Sequence, residues 1–207
     1  MDTPGVVIVE TGVANTASVA AAIERCGGRA ELTRDPQIVA VCDRAVLPGV
    51  GAFGAGMDLL TKTGLGEAVH ERTRNGRPLL AVCLGMQMLG HSSDESPGVS
   101  GLGIVNAVFK RFGPGVRTPQ FGWNRVDPDP LCDLVAPGYA YFANSYRLVS
   151  PPAGWRIAWA EHGGRFVAAM EREGILACQF HPELSGPWGI ELLGRWLARA
   201  GRGRVAC

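Results

Sequence analysis

The 207-residue sequence predicts an α/β fold: a single doubly wound domain, spanning 1–207, with a mostly parallel, partly mixed central sheet. Three observations predict it. Short apolar runs alternate with helix-patterned stretches through the first half of the chain. Each of the first runs ends in a turn rich in small residues before a helix begins, as parallel crossovers require. Beyond about Leu102 the texture changes to short strands punctuated by glycine and proline, which supplies the mixed part of the sheet.

The elements follow in order. Val6–Glu10 is a short apolar strand, and Thr11-Gly12-Val13-Ala14-Asn15 turns into a helix over Thr16–Cys26. Gly27-Gly28 stops that helix, and a second strand runs from Ala30 to Thr33. Ala45-Val46-Leu47 is the third strand, followed by the glycine-rich stretch from Pro48 to Gly56. One helix is then expected from about Met57 to Arg74, stopped by Asn75-Gly76. The fourth strand leads into Cys83, and the last helix is expected from about Gly189 to Ala200.

Composition removes several function classes. A formal net charge of +1 gives no footprint for nucleic acid, and the arginines at 199, 202 and 204 read as a solvated basic tail. No apolar stretch approaches the ~18 residues that span a membrane. Met1-Asp2-Thr3-Pro4 opens without a basic region followed by an apolar one, so no secretory signal is read. The six cysteines (26, 42, 83, 132, 178 and 207) are scattered and form no disulfide framework, so a cytoplasmic setting is expected. With four histidines and no His-x-x-x-His or Cys-x-x-Cys, no metal and no cofactor are expected.

The chemistry concentrates in two segments. Pro78-Leu79-Leu80-Ala81-Val82-Cys83-Leu84-Gly85-Met86-Gln87 reads as a strand-to-helix elbow with a thiol at its apex. Such a turn lifts a nucleophile into the cleft at the strand's carboxyl end and aims the first helical N–H groups at it. Ile175-Leu176-Ala177-Cys178-Gln179-Phe180-His181-Pro182-Glu183 delivers an imidazole and a carboxylate two residues apart. In an extended strand they share one side, and the proline favours that extended form. Cys83, His181 and Glu183 therefore form a candidate relay for acyl transfer: nucleophile, base and the group that orients the base. The glycine-rich stretch after the third strand lacks a Gly-Lys-Ser/Thr ending, and a dinucleotide loop would follow the first strand, so a backbone nest facing an oxyanion is the better reading.

Pro48-Gly49-Val50-Gly51, Cys83-Leu84-Gly85-Met86-Gln87 and His181-Pro182-Glu183, in this order, resemble the class I (triad) glutamine amidotransferases. Phe121-Gly122-Trp123-Asn124 and Tyr141-Phe142-Ala143-Asn144-Ser145-Tyr146 narrow the resemblance to the glutaminase subunits of imidazole glycerol phosphate synthase. That resemblance implies a Cys83 thioester with glutamine and an oxyanion hole from the N–H groups of Val50 and Leu84. It implies glutamine binding by Gly51, Gln87, Glu95 and the Ser145-Tyr146 backbone. It also implies an ammonia-accepting (β/α)₈-barrel cyclase, joined as a heterodimer and docked near Asn15, Trp123, Tyr141 and Leu184. Read without the resemblance, Glu95 is a solvated loop residue, Trp123 and Tyr141 are core aromatics and Asn15 is a helix N-cap. Departures from the family pattern fall at Leu184, where lysine is usual, and at Gln120 and Asn144, where histidines are usual. These three are expected to cluster on the partner-facing side. A paralogous subunit feeding another synthase, a silent scaffold and a cysteine peptidase are the competing readings.

Overall fold

A computed structural model describes residues 3–12 and 15–200, without the side chain of residue 200. Val13 and Ala14 of the first turn, the arginines at 202 and 204 and Cys207 lie outside the described residues. In chain order, β1 (Gly5–Val9), α1 (Thr16–Arg25), β2 (Arg29–Thr33), α2 (Pro36–Val41), β3 (Ala45–Gly49), α3 (Phe53–Lys62), α4 (Leu65–Arg74) and β4 (Leu79–Cys83) make the first half. The short α5 (Leu84–Met88), β5 (Ser92–Ser93), β6 (Val108–Arg111), β7 (Gln120–Pro128), β8 (Gly138–Asn144) and β9 (Tyr146–Arg147) follow. Then come β10 (Arg156–Glu161), β11 (Arg165–Arg172), β12 (Ile175–Cys178), a 3-10 turn over Pro182–Leu184 and α6 (Gly186–Ala200).

The main sheet has nine strands in the order β2-β1-β3-β4-β12-β11-β10-β7-β8. From β2 to β12 every pairing is parallel; from β12 to β8 every pairing is antiparallel. The nucleophile strand β4 and the histidine strand β12 are therefore neighbours at the seam, although about a hundred residues separate them.

Alternation along the central strands feeds two cores. Val7, Val9, Leu79 and Ala81 face a core closed by α2, α3, α4 and α5, whereas Val6, Ile8, Leu80 and Val82 face one closed by α1 and α6. Burial of each Leu, Ile or Phe in these layers contributes about 1.5–3 kcal/mol, so a register slip of one residue would cost both faces at once.

Several expected boundaries move. The single helix over 57–74 is two helices, because Gly64 adopts φ +73° and breaks the backbone between α3 and α4. The first of them begins at Phe53, so the last four residues of the glycine-rich stretch are helix rather than loop. Helix α2 was not anticipated; Asp35 caps it through Gln37 N at 2.8 Å, with Pro36 at its first position. The last helix starts at Gly186 rather than Gly189.

Candidate active site

Cys83 ends β4 at φ +54° and ψ −111°, a region that costs a non-glycine residue about 1–3 kcal/mol. The surroundings impose it. Gly85, in the first turn of α5, lies so close to β3 that a Cβ there would collide with the Leu47 carbonyl. Gly49 pairs with Cys83 across the sheet, and a Cβ on it would lie 2.9 Å from both Gly85 N and Leu84 Cβ. These two contacts seat the Pro48–Gly51 segment against the elbow. Val50 follows directly from the residue paired with Cys83, and Leu84 opens α5, where the first N–H groups have no partner within the helix. Gly51 carries φ +93° and turns the chain away toward α3.

His181 lies on the adjoining segment. Its Nδ1 is 2.8 Å from Glu183 Oε1, and both side chains are almost wholly buried. The expected extended form holds only as far as His181; Pro182, Glu183 and Leu184 close a 3-10 turn. The proline supplies the fixed φ of a first helical position, so it starts a turn here instead of extending the strand. The carboxylate thus reaches the imidazole around a turn, not along one face of a strand.

Burial works against the charged imidazole, but contact with the Cys83 thiol and with Glu183 overcomes it and raises the His181 pKa to about 10. The ring is held ready to carry a proton beside the sulfur, with Nδ1 fixed by the carboxylate and the other nitrogen left for the thiol.

A clasp from β8 fixes this turn. His181 N donates to Tyr141 O at 2.9 Å, Ser185 Oγ donates to His181 O at 2.6 Å, and Tyr141 N donates to Ser185 Oγ at 3.0 Å. Sequence reading missed Ser185, and it missed Gln179. Gln179 Nε2 donates to Cys83 Sγ at 3.7 Å, and its Oε1 accepts from Gln87 Nε2 at 3.1 Å. The signal for Gln179 was its place two residues before His181, the period at which strand side chains share a face. Nothing local marks Ser185.

Glu95 is not a solvated loop residue. Its Oε2 accepts from Phe53 N at 2.7 Å while Ser96 Oγ accepts from Gly54 N at 3.0 Å, so the Ser-Asp-Glu-Ser segment caps α3 beside the Gly51 turn. Ser145 and Tyr146 lead from β8 into β9: Ser145 O accepts from Phe112 N, and Tyr146 pairs with Arg111 of β6.

Asn15 caps α1, accepting from Ser18 N at 3.3 Å. Trp123 is 58 % exposed and stacks edge-on with Tyr141 at 6.3 Å, so it is not a core aromatic. Leu184 is 42 % exposed, at the end of the catalytic turn. Gln120 and Asn144 do not join it on the surface. They face each other across β7 and β8 at 5 % and 4 % exposure, their alternation directing them inward, so the expected outward cluster reduces to Leu184.

Among the described residues no group of three or more His, Cys, Asp or Glu side chains could hold a metal ion, and no helix is long and apolar enough to cross a membrane.

Comparison with known proteins gives one answer. The family model for glutamine amidotransferase class I matches residues 7–199. The HisH subunit of imidazole glycerol phosphate synthase from Symbiobacterium thermophilum is 39 % identical over 206 residues, covering 98 % of this chain and 94 % of that protein. Its Escherichia coli K12 counterpart is 41 % identical over 197 residues, covering 93 % and 98 %. The chloroplastic imidazole glycerol phosphate synthase hisHF of Arabidopsis thaliana is 35 % identical over 199 residues, which span 34 % of that longer chain. A crystal structure of a glutamine amidotransferase superposes with a TM-score of 0.77 at 21 % identity, covering 94 % of this chain and 98 % of that one, and so shares its fold. The chain belongs to the class I glutamine amidotransferases.

Proposed function

We propose that this chain is the glutaminase subunit of imidazole glycerol phosphate synthase in histidine biosynthesis, releasing ammonia from glutamine through a Cys83 thioester. The observation that carries the chemistry is the buried elbow thiol at φ +54°, in contact with an imidazole whose Nδ1 is anchored to Glu183. Similarity over nearly the whole chain to HisH subunits carries the pathway.

Cys83 sulfur attacks the side-chain amide carbon of glutamine, and the carbonyl electrons move onto oxygen. The N–H groups of Leu84 and Val50 hold that oxyanion; losing one such donor typically costs about 10²–10³ in rate. His181, carrying the thiol proton, hands it to the departing nitrogen, and ammonia leaves a γ-glutamyl thioester. His181 then takes a proton from water, which attacks the thioester and returns glutamate and free Cys83. Gly51, Gln87, Glu95 and the Ser145-Tyr146 backbone bound the glutamine site in this reading. Gln87 has its amide nitrogen engaged by Gln179, which leaves its oxygen for the substrate.

Ammonia set free in water would be protonated, so it passes directly to a docked barrel cyclase. The exposed Trp123, Tyr141 beside it, Leu184 and the α1 end at Asn15 are the contact residues in this reading. An apolar Leu184 docks by burial rather than through an ion pair. Because Gln120 and Asn144 are buried, they do not themselves speak for a different partner.

Glutamate release from glutamine tests the proposal, comparing the chain alone with the chain plus a histidine-pathway cyclase and its nucleotide substrate. Strong stimulation by the complete mixture is expected. Equal turnover with and without the cyclase, or none in either, would assign the ammonia to another synthase.

A further inference from the structure

The Cys83 sulfur has a neighbour that the triad chemistry does not use. Gln179 follows β12, directly alongside the elbow, because Cys178 pairs with Val82 across the parallel seam. Its side chain is 0 % exposed. A buried amide is costly unless both ends are satisfied, and an apolar side chain of equal size would pack there without that demand. Both ends of Gln179 are satisfied, and both by residues of the candidate site: Oε1 by the Gln87 amide and Nε2 by the Cys83 sulfur.

The orientation is not free. Gln87 presents its Nε2 donor, so Gln179 must present oxygen to it. With Gln87 Nε2 donating, the Gln179 N–H is turned toward Sγ, and flipping Gln179 alone would set donor against donor at Gln87. Gln179 N is itself tied to Ala168 O at 2.8 Å, which leaves the backbone no room to swing the side chain away.

We propose that Gln179 is a positioning residue for the nucleophile. Its Nε2 donates to the Cys83 sulfur and holds it in place, while Gln87 holds the amide in that orientation. The Gln87–Gln179–Cys83 chain then links a residue of the glutamine site to the reacting atom. The inference rests on the glutaminase reading for its role in turnover, though the contact itself does not depend on that reading.

Two variants separate the donor from the packing. Gln179→Met keeps the shape and removes the donor; Gln179→Glu keeps the shape and the acceptor for Gln87 but replaces the donor with a carboxylate that repels a negative sulfur. Each is assayed for glutamate release in the cyclase complex, with active sites counted by a glutamine-analogue electrophile. Alkylation of Cys83 by iodoacetamide is timed in parallel at one fixed, near-neutral pH. The expected result is a kcat lower by about tenfold, the worth of one hydrogen bond to a reacting group, with KM within about twofold and slower alkylation. Wild-type kcat and alkylation in either folded variant would overturn the proposal. So would a loss explained by fewer active sites, or failure of both variants to fold, which would make Gln179 a packing residue alone. If wild-type protein itself releases no glutamate with the cyclase, the glutaminase reading falls, and the alkylation rates still decide whether Gln179 acts on the sulfur.

Discussion

The elbow at Cys83 and the turn at His181 present the two reacting groups to each other, and they are built in different ways. The elbow is a local device. A buried apolar strand, a strained residue and two glycines that admit close approach of β3 determine where the sulfur goes. The histidine turn is assembled from distant parts: Tyr141 on β8 and Ser185 at the foot of α6 grip its backbone, and Glu183 fixes its ring. Steric compulsion therefore sets the backbone at the nucleophile, whereas hydrogen bonds set both the backbone and the ring of the base. A change at the elbow should act through collision or chemistry, and a change at the turn through graded loss of alignment.

The largest effect belongs to the nucleophile. Cys83→Ala should lower glutaminase turnover at least about 10⁴-fold while the protein still folds, since alanine meets the same φ as cysteine. Glutamate release and a thermal melt check both halves, and appreciable turnover would remove Cys83 from the chemistry. Next, Gly85→Ala should destabilise the protein by about 3 kcal/mol, because the added carbon meets the Leu47 carbonyl and neither backbone can yield cheaply. Urea unfolding would show it, and a neutral result would mean that the elbow is looser than the packing indicates.

Smaller losses are expected at the turn. Ser185→Ala removes the bridge between Tyr141 N and His181 O, and should cost about 1–2 kcal/mol of stability with a several-fold fall in kcat. Stability lost with kcat intact would show that the clasp serves the fold alone. A further effect is a dependence on pH. His181 is raised from 6.5 to about 10, so its charged form stabilises the folded state fully below 6.5, and that contribution is lost as pH rises through about 10. The stability difference between wild type and His181→Gln should accordingly shrink between about pH 6 and pH 11. A difference that grew with pH would reverse the sign of the coupling between His181, Cys83 and Glu183.

Local information suffices where a feature is complete within one short segment. The Leu79–Cys83 run with Gly85 two residues on marks an elbow, since strand, apex and the glycine that permits close approach all lie within one short segment. The broken helix at Gly64 escaped because glycine inside a helical pattern is compatible with continuation, as Gly66 within α4 shows, and only packing of α3 against α4 decides that Gly64 is a break. Pro182 was read as extending a strand and instead opens a turn, a choice made by the Tyr141 and Ser185 contacts. Apart from the resemblance, Glu95 reads as a solvated residue because the N–H group it caps belongs to a helix more than forty positions earlier.

Alternation of strands and helices, the elbow, the neighbouring His181 and Glu183 and the resemblance they carry were determined by the sequence itself, because each depends on backbone preferences over a few consecutive residues. Tertiary structure alone decided that β4 and β12 would be neighbours, that Gln179 would reach the sulfur and that Ser185 would lock the histidine. It also turned Gln120 and Asn144 inward while leaving Trp123 and Leu184 in solvent. The physical reason is the same throughout: these are choices about which distant surface satisfies a hydrogen bond or covers a side chain, and a chain cannot express them until its strands have paired.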